Sequence, residues 1–135
     1  MDLKDSNLKL SRALPNGAAT VYSTSIDTGK TTDLGKQLAP VEFLLSAPAL
    51  VVGDLADAAT IKYSVVMDTV DPIDGSSIVL HADILTQTGA GGAGAAAATK
   101  RFKLPTDGLR LIGFKAVNSG SGDASDKTAT LEVLA

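Results

Sequence analysis

A catalytic relay in this chain would have to be built around His81, its one histidine. Ser76, Ser77 and Asp83 flank it in sequence. Strand neighbours one or two residues apart do not converge as a nucleophile, a base and an orienting carboxylate must, so the pattern favours a histidine on the polar face of a strand. Asp68, Asp71, Asp74 and Asp83 could offer oxygen ligands to a cation, as could the run Gly122-Asp123-Ala124-Ser125-Asp126. Neither group has the every-second-residue spacing of a calcium loop, whereas both have the composition of tight turns. Gly29-Lys30-Thr31 suggests a phosphate cradle, but the motif needs a glycine where Thr24 stands and a helix after it. With no cysteine, thiolate nucleophiles, disulfides and zinc ribbons are excluded together. The chemistry-bearing residues therefore point away from an enzyme, and no cofactor or bound metal is expected.

The elements that would position such residues are short strands. Ala19 to Ile26 is rich in Thr, Val, Tyr, Ser and Ile, and ends at Asp27-Thr28-Gly29. After a polar stretch and Pro40, Val41, Phe43 and Leu45 share one face of a strand that Pro48 limits. In Thr60 to Asp68, Ile61, Tyr63, Val65 and Met67 alternate with Lys62, Ser64 and Val66. The turn Asp71-Pro72-Ile73-Asp74-Gly75 leads into a strand in which Ile78, Leu80, Ala82 and Ile84 alternate with Val79, His81, Asp83 and Leu85. Strands follow at Thr99 to Leu104 and Leu109 to Val117. In the second, Leu109 and Leu111 fall out of phase with Ile112, Phe114 and Ala116, which predicts a bulge near Leu111 or burial on both faces. Thr128 to Leu134 closes the pattern with Ala129, Leu131 and Val133 inward.

A chain of 135 residues with 44% hydrophobic and 4% aromatic content has room for one aliphatic core. Residues 1–18 read as an N-terminal arm or edge segment, because Leu3, Leu8, Leu10 and Leu14 are irregularly spaced before Pro15-Asn16-Gly17. Residues 19–135 read as a single all-β domain, a two-sheet antiparallel β-sandwich or a barrel. The net charge of −3 is spread along the chain, so no direct contact with nucleic acid is expected. No stretch approaches the length of about 20 apolar residues that spans a bilayer, and the first residues lack the apolar run of a secretory signal. The expected setting is a soluble compartment or a larger assembly.

Several segments, taken in order, resemble the capsid cement, or decoration, proteins of tailed bacteriophages. Ser23-Thr24-Ser25-Ile26-Asp27-Thr28-Gly29 resembles a short Ser/Asn-rich strand ending in an apolar-Asp-x-Gly step near the start of that family. A polar loop and a Pro-led strand like Ala39-Pro40-Val41-Glu42-Phe43 follow, then a Thr-initiated alternating strand like Thr60 to Val66. Leu104-Pro105, the strand Leu109 to Val117, a Gly/Ser loop and a terminal strand like Thr128 to Leu134 complete the order. The resemblance implies a jelly-roll or related sandwich. It further implies a protein bound to the outer surface of the virion's major capsid shell, often as a homotrimer at symmetry axes. Partner contacts are then expected from Leu3, Leu8 and Leu10 of the leading arm, and from Gly91, Gly92 and Gly94, whose small size lets backbone approach a neighbour. The basic residues Lys100 and Arg101 either guard a strand edge or meet an acidic surface. The other readings are a ligand- or carbohydrate-binding module of a tail or fibre, and a head-tail joining protein.

Overall fold

The computed structural model describes residues 9–27, 42–70, 72–103 and 111–134. The described residues form β1 (Lys9–Ala13), β2 (Thr20–Tyr22), β3 (Ile26–Asp27), β4 (Glu42–Ala47), β5 (Thr60–Asp68), β6 (Ile78–Thr88), β7 (Ala98–Lys103), β8 (Leu111–Asn118) and β9 (Thr128–Leu134). They pair antiparallel in two sheets, β1-β9-β4-β7 and β2-β8-β5-β6, with β3 also on β8. Because β5 runs along the whole of β8, β2 and β3 must share its other edge and act as one interrupted strand. The pairs β1·β9, β2/β3·β8, β4·β7 and β5·β6 are then nested, outermost with outermost and innermost with innermost. A long hairpin rolled so that β9 also meets β4 and β8 also meets β5 is the jelly roll. The all-β sandwich read from the periodicity is thus the architecture, with the strand order added by the structure.

The two inner faces supply the core. Leu10, Phe43, Leu45, Ala47, Phe102, Ala129 and Leu131 come from the first sheet; Ile26, Ile61, Tyr63, Val65, Ile112, Phe114 and Ala116 come from the second. At about 1.5–3 kcal/mol for each large apolar side chain taken out of water, this layer is the main favourable term. Within the stretch read as an arm or edge segment, Lys9–Ala13 pairs with β9 along its length, and Leu10 is buried. Phe43 stacks on its cross-strand partner Phe102 with ring centroids 5.3 Å apart.

The phase change around Leu111 is burial on both faces. The β5·β8 register runs unbroken from Asp68↔Leu111 to Ile61↔Asn118. Outside it, Val66, Ile73 and Leu111 form a second small cluster with Tyr22 against it. The irregularity lies instead on the neighbouring edge. Ser23 sits between β2 and β3, where the register on β8 shifts by one residue. Its hydroxyl accepts the Phe114 N–H at 2.9 Å and donates to the Thr24 carbonyl at 2.6 Å. A side chain here replaces the ladder acceptor that the bulge displaces.

The Gln87 amide links β6 to the segments that flank β4 and β7 of the other sheet. Tyr63 Oη, fully buried, donates to Gln87 Oε1 at 2.7 Å. Gln87 Nε2 donates to the carbonyls of Pro48 at 2.7 Å and Ala96 at 3.0 Å. Burial pushes the Tyr63 hydroxyl far above its ordinary range, so it is a fixed donor. Gln87→Ala strands a phenol and two carbonyls and should cost about 2–4 kcal/mol, whereas Tyr63→Phe, which strands only Oε1, should cost about 1–2 kcal/mol. Urea unfolding of both variants checks the order, and a Gln87→Ala loss no larger than that of Tyr63→Phe would contradict this account.

Candidate interaction surfaces

The aspartates picked out as possible ligands are used by their own turns. Asp68 Oδ1 accepts the N–H groups of Thr69 and Val70, and its Oδ2 accepts the Ser77 hydroxyl at 2.9 Å. Asp74 Oδ1 takes both the N–H and the hydroxyl of Ser76, and Asp123 Oδ1 does the same with Ser125. These bonds favour the charged form and hold all three carboxyls below the usual range, the serine hydroxyl being the largest influence in each case. Asp71 lies outside the described residues. Asp83 stands at φ 49° in an irregular part of β6, and its N–H donates to the buried Ser64 hydroxyl at 2.9 Å.

That irregularity also corrects the reading of His81. The β5·β6 register slips between Tyr63 and Val65 and again between Val65 and Val66, which breaks the expected alternation into the pairs Leu80–His81 and Ile84–Leu85. His81 thus pairs with the inward-facing Val65 and meets the edge of Phe102 with centroids 5.5 Å apart. It helps to close the side of the sandwich between β6 and β7 and does not stand on a polar face.

The residues expected to touch a partner separate into distinct groups. Leu3 and Leu8 lie outside the described residues. Leu10 is buried in the chain's own core, because β1 pairs with β9 in the phase that turns it inward, and its side chain is unavailable to a partner. Gly94 is also engaged internally. A Cβ there would overlap the Leu50 carbonyl, and φ is +71°. The close backbone neighbour of the glycine-rich loop is therefore the β4–β5 connection of the same chain. Leu50 and Ala95 exchange N–H···O bonds of 2.8 and 3.0 Å, and Gly89 likewise has no room for a Cβ beside the Ala56 carbonyl. Gly91 and Gly92 form the exposed tip, with open space around them, and Asp57 Oδ1 accepts the Gly92 N–H at 2.8 Å. Lys100 and Arg101 are exposed on β7, an edge strand, where Arg101 pairs with Glu42 at 3.3 Å.

The same end of the sandwich holds a polar clasp. Asp54, nearly buried, accepts the Val51 N–H at 3.0 Å and the Lys127 ammonium at 2.9 Å. Burial alone would raise the Asp54 pKa, but the Val51 N–H and Lys127 outweigh it and hold the carboxyl below the usual range. Bonds to Asp54 and Asp126 raise that of Lys127.

The exposed large apolar side chains, which the sequence reading did not single out, fall in two places. Val51 and Val52 stand in the β4–β5 connection at 57% and 48% exposure; Val70, Ile78 and Val79 stand at the other end, along the start of β6, at 64%, 54% and 42%. The signal available in the sequence was an apolar pair inside a turn-rich connection, and Ile-Val-Leu at the start of an edge strand.

Two outcomes follow. Gly94→Ala should lower stability by more than Gly91→Ala: both lie at positive φ, costing about 1–2 kcal/mol, but only the first also forces backbone apart. Thermal unfolding of the pair measures the difference. Asp54 contributes stability above its unfolded carboxyl pKa that is lost as pH falls through its lower folded value. Lys127 contributes stability below its unfolded pKa that is lost as pH rises through its higher folded one. Asp54→Asn should therefore have a lower urea midpoint than the parent at pH 7, with the gap closing in acid below the carboxylate range; a gap independent of pH would refute this role.

No family model matches the sequence, and no curated protein matches it. Among solved structures, a chain of the structure of infectious bursal disease virus Gt strain is similar, with 14% identity and a TM-score of 0.34. The alignment covers 93% of this chain and 27% of that one, so the protein spans about a quarter of the chain it matches.

Proposed function

We propose that this chain is a non-enzymatic capsid cement protein of a tailed bacteriophage, bound to the outer surface of the major capsid shell and stabilising it, as a homotrimer at symmetry axes. The observation that carries this reading is the order of the family-like segments together with their places in the fold. The described parts of Ser23–Gly29, Ala39–Phe43, Thr60–Val66, Leu109–Val117 and Thr128–Leu134 fall on β3, β4, β5, β8 and β9 of a jelly roll. A shell-binding protein needs a rigid core and exposed surface rather than a reactive centre. Many copies on a lattice also multiply weak single contacts into firm attachment. The carbohydrate-binding reading is less well supported, since such sites use exposed aromatic platforms. Here Tyr63 is buried on Gln87, and Tyr22 packs against the outer cluster.

Particles stripped of decoration and mixed with purified protein should take it up to saturation and resist heat or chelation better than bare particles. Co-sedimentation and particle melting measure both. Absence of binding at tens of micromolar, with a positive result on a glycan panel, would move the assignment to the ligand-binding class.

A further inference from the structure

Pro15-Asn16-Gly17, the turn between β1 and β2, places an asparagine directly before a glycine. In that dipeptide the glycine nitrogen can attack the asparagine side chain with no Cβ in the way. Asn16 is exposed, and Gly17 stands at φ +77°. The turn is also tied to the β8–β9 loop. Asn16 and Asp123 form an isolated antiparallel bridge, flanked by Gly17 N–H donating to the Gly122 carbonyl at 2.9 Å and Ala124 N–H donating to the Pro15 carbonyl at 3.1 Å. Asn16 and Asp123 are thus a non-hydrogen-bonded pair, the kind whose Cα atoms lie about 4.5 Å apart with side chains close. The bond from Gly17 occupies the one N–H that a deamidation must deprotonate.

We propose that Asn16–Gly17 is a deamidation site held unreactive by its bridge to the β8–β9 loop, and that modification there unfastens that bridge. The Gly17 nitrogen forms a bond to Asn16 Cγ, the Cγ–Nδ2 bond breaks, and ammonia leaves with the proton that Gly17 gives up. Water then opens the cyclic imide at either carbonyl, leaving aspartate or isoaspartate at position 16. While the bridge is closed, the Gly17 N–H stays on the Gly122 carbonyl and its nitrogen cannot turn toward Cγ, so the reaction waits on local opening. Either product sets a second carboxylate opposite Asp123, and like charges directly across an antiparallel pair are destabilising. The cation of that loop, Lys127, is already held by Asp54 and Asp126. Isoaspartate further lengthens the backbone by one carbon inside the bridge.

Peptide mass spectrometry on the full chain, incubated at mildly alkaline pH either folded or in urea, follows the reaction at Asn16. The folded chain should deamidate there at least about tenfold more slowly than the unfolded one. A Cβ at Gly122 would overlap the Asp54 carbonyl, so Gly122→Ala pushes the loop, and with it the Gly17 acceptor, away. That variant, shown by circular dichroism to be folded, should react faster than the parent. Should it not fold, hydrogen exchange of the Gly17 amide in the parent replaces it: over a range of urea below unfolding, deamidation should rise in step with exchange. Asn16→Asp should have a lower urea midpoint than Asn16→Ser, with a gap that salt narrows. Equal rates in folded and unfolded chains overturn the proposal. So do a folded Gly122→Ala that reacts no faster, deamidation that ignores Gly17 exchange, and an Asn16→Asp variant as stable as Asn16→Ser.

Discussion

The buried amide of Gln87 is the constraint on which the register of the sandwich turns. The core side chains between the layers are mostly apolar, and apolar contacts tolerate sliding. The amide does not, because its oxygen accepts from Tyr63 in one sheet while its nitrogen donates to the carbonyl of Pro48, just past β4 in the other. Its second donation, to Ala96, fixes the approach to β7. A one-residue slip of β5 would turn Tyr63 outward and leave the Gln87 Oε1 buried without its donor. As β5 is paired on both sides, by β6 and β8, its register is passed to the rest of the second sheet.

Beyond the amide, one end of the molecule is built by packing backbone on backbone. Gly89 and Gly94 press on the β4–β5 connection from the β6–β7 loop, and Gly122 presses on it from the β8–β9 loop. Side chains at these positions would hold the loops apart and expose the carbonyls between them. The absence of side-chain volume is what lets the loops close the end of the core over Leu50 and Leu55. The Asp54–Lys127 pair then clasps the connection to the start of β9, placing the valines of that connection on a firm base.

What the sequence made legible follows from which signals are local. β5 and β9 were readable as strands from their alternation, but the face of β5 expected to be wet is buried at Ser64 and Val66, where the second small cluster covers it. β6 was misread because its register slips twice, and periodicity carries no mark of an inserted residue until the partner strand is known. The glycine-rich loop was read as a place where backbone approaches a partner, but composition names no neighbour: Gly94 meets Leu50 of the same chain, while Gly91 and Gly92 have open space around them. Leu10 was assigned to an arm because a five-residue edge strand with a single inward side chain has too short a pattern to declare its phase. Gln87 gave no signal at all, since a polar residue near the end of a strand reads as solvent-facing until the carbonyls of Pro48 and Ala96 are placed around it.

The carboxylates clarify how this fold divides its labour. Asp68, Asp74 and Asp123 each hold an oxygen against the backbone and serine hydroxyls of their own turns, which fixes the charge in place. A charge held in that way has already given up the side-chain freedom that a flexible surface ion would lose on binding. The same holds for the apolar groups nearby, since Val51 follows directly on the Leu50–Ala95 bridge and its N–H is held by Asp54. The turns themselves thus place rigid charge beside rigid apolar surface.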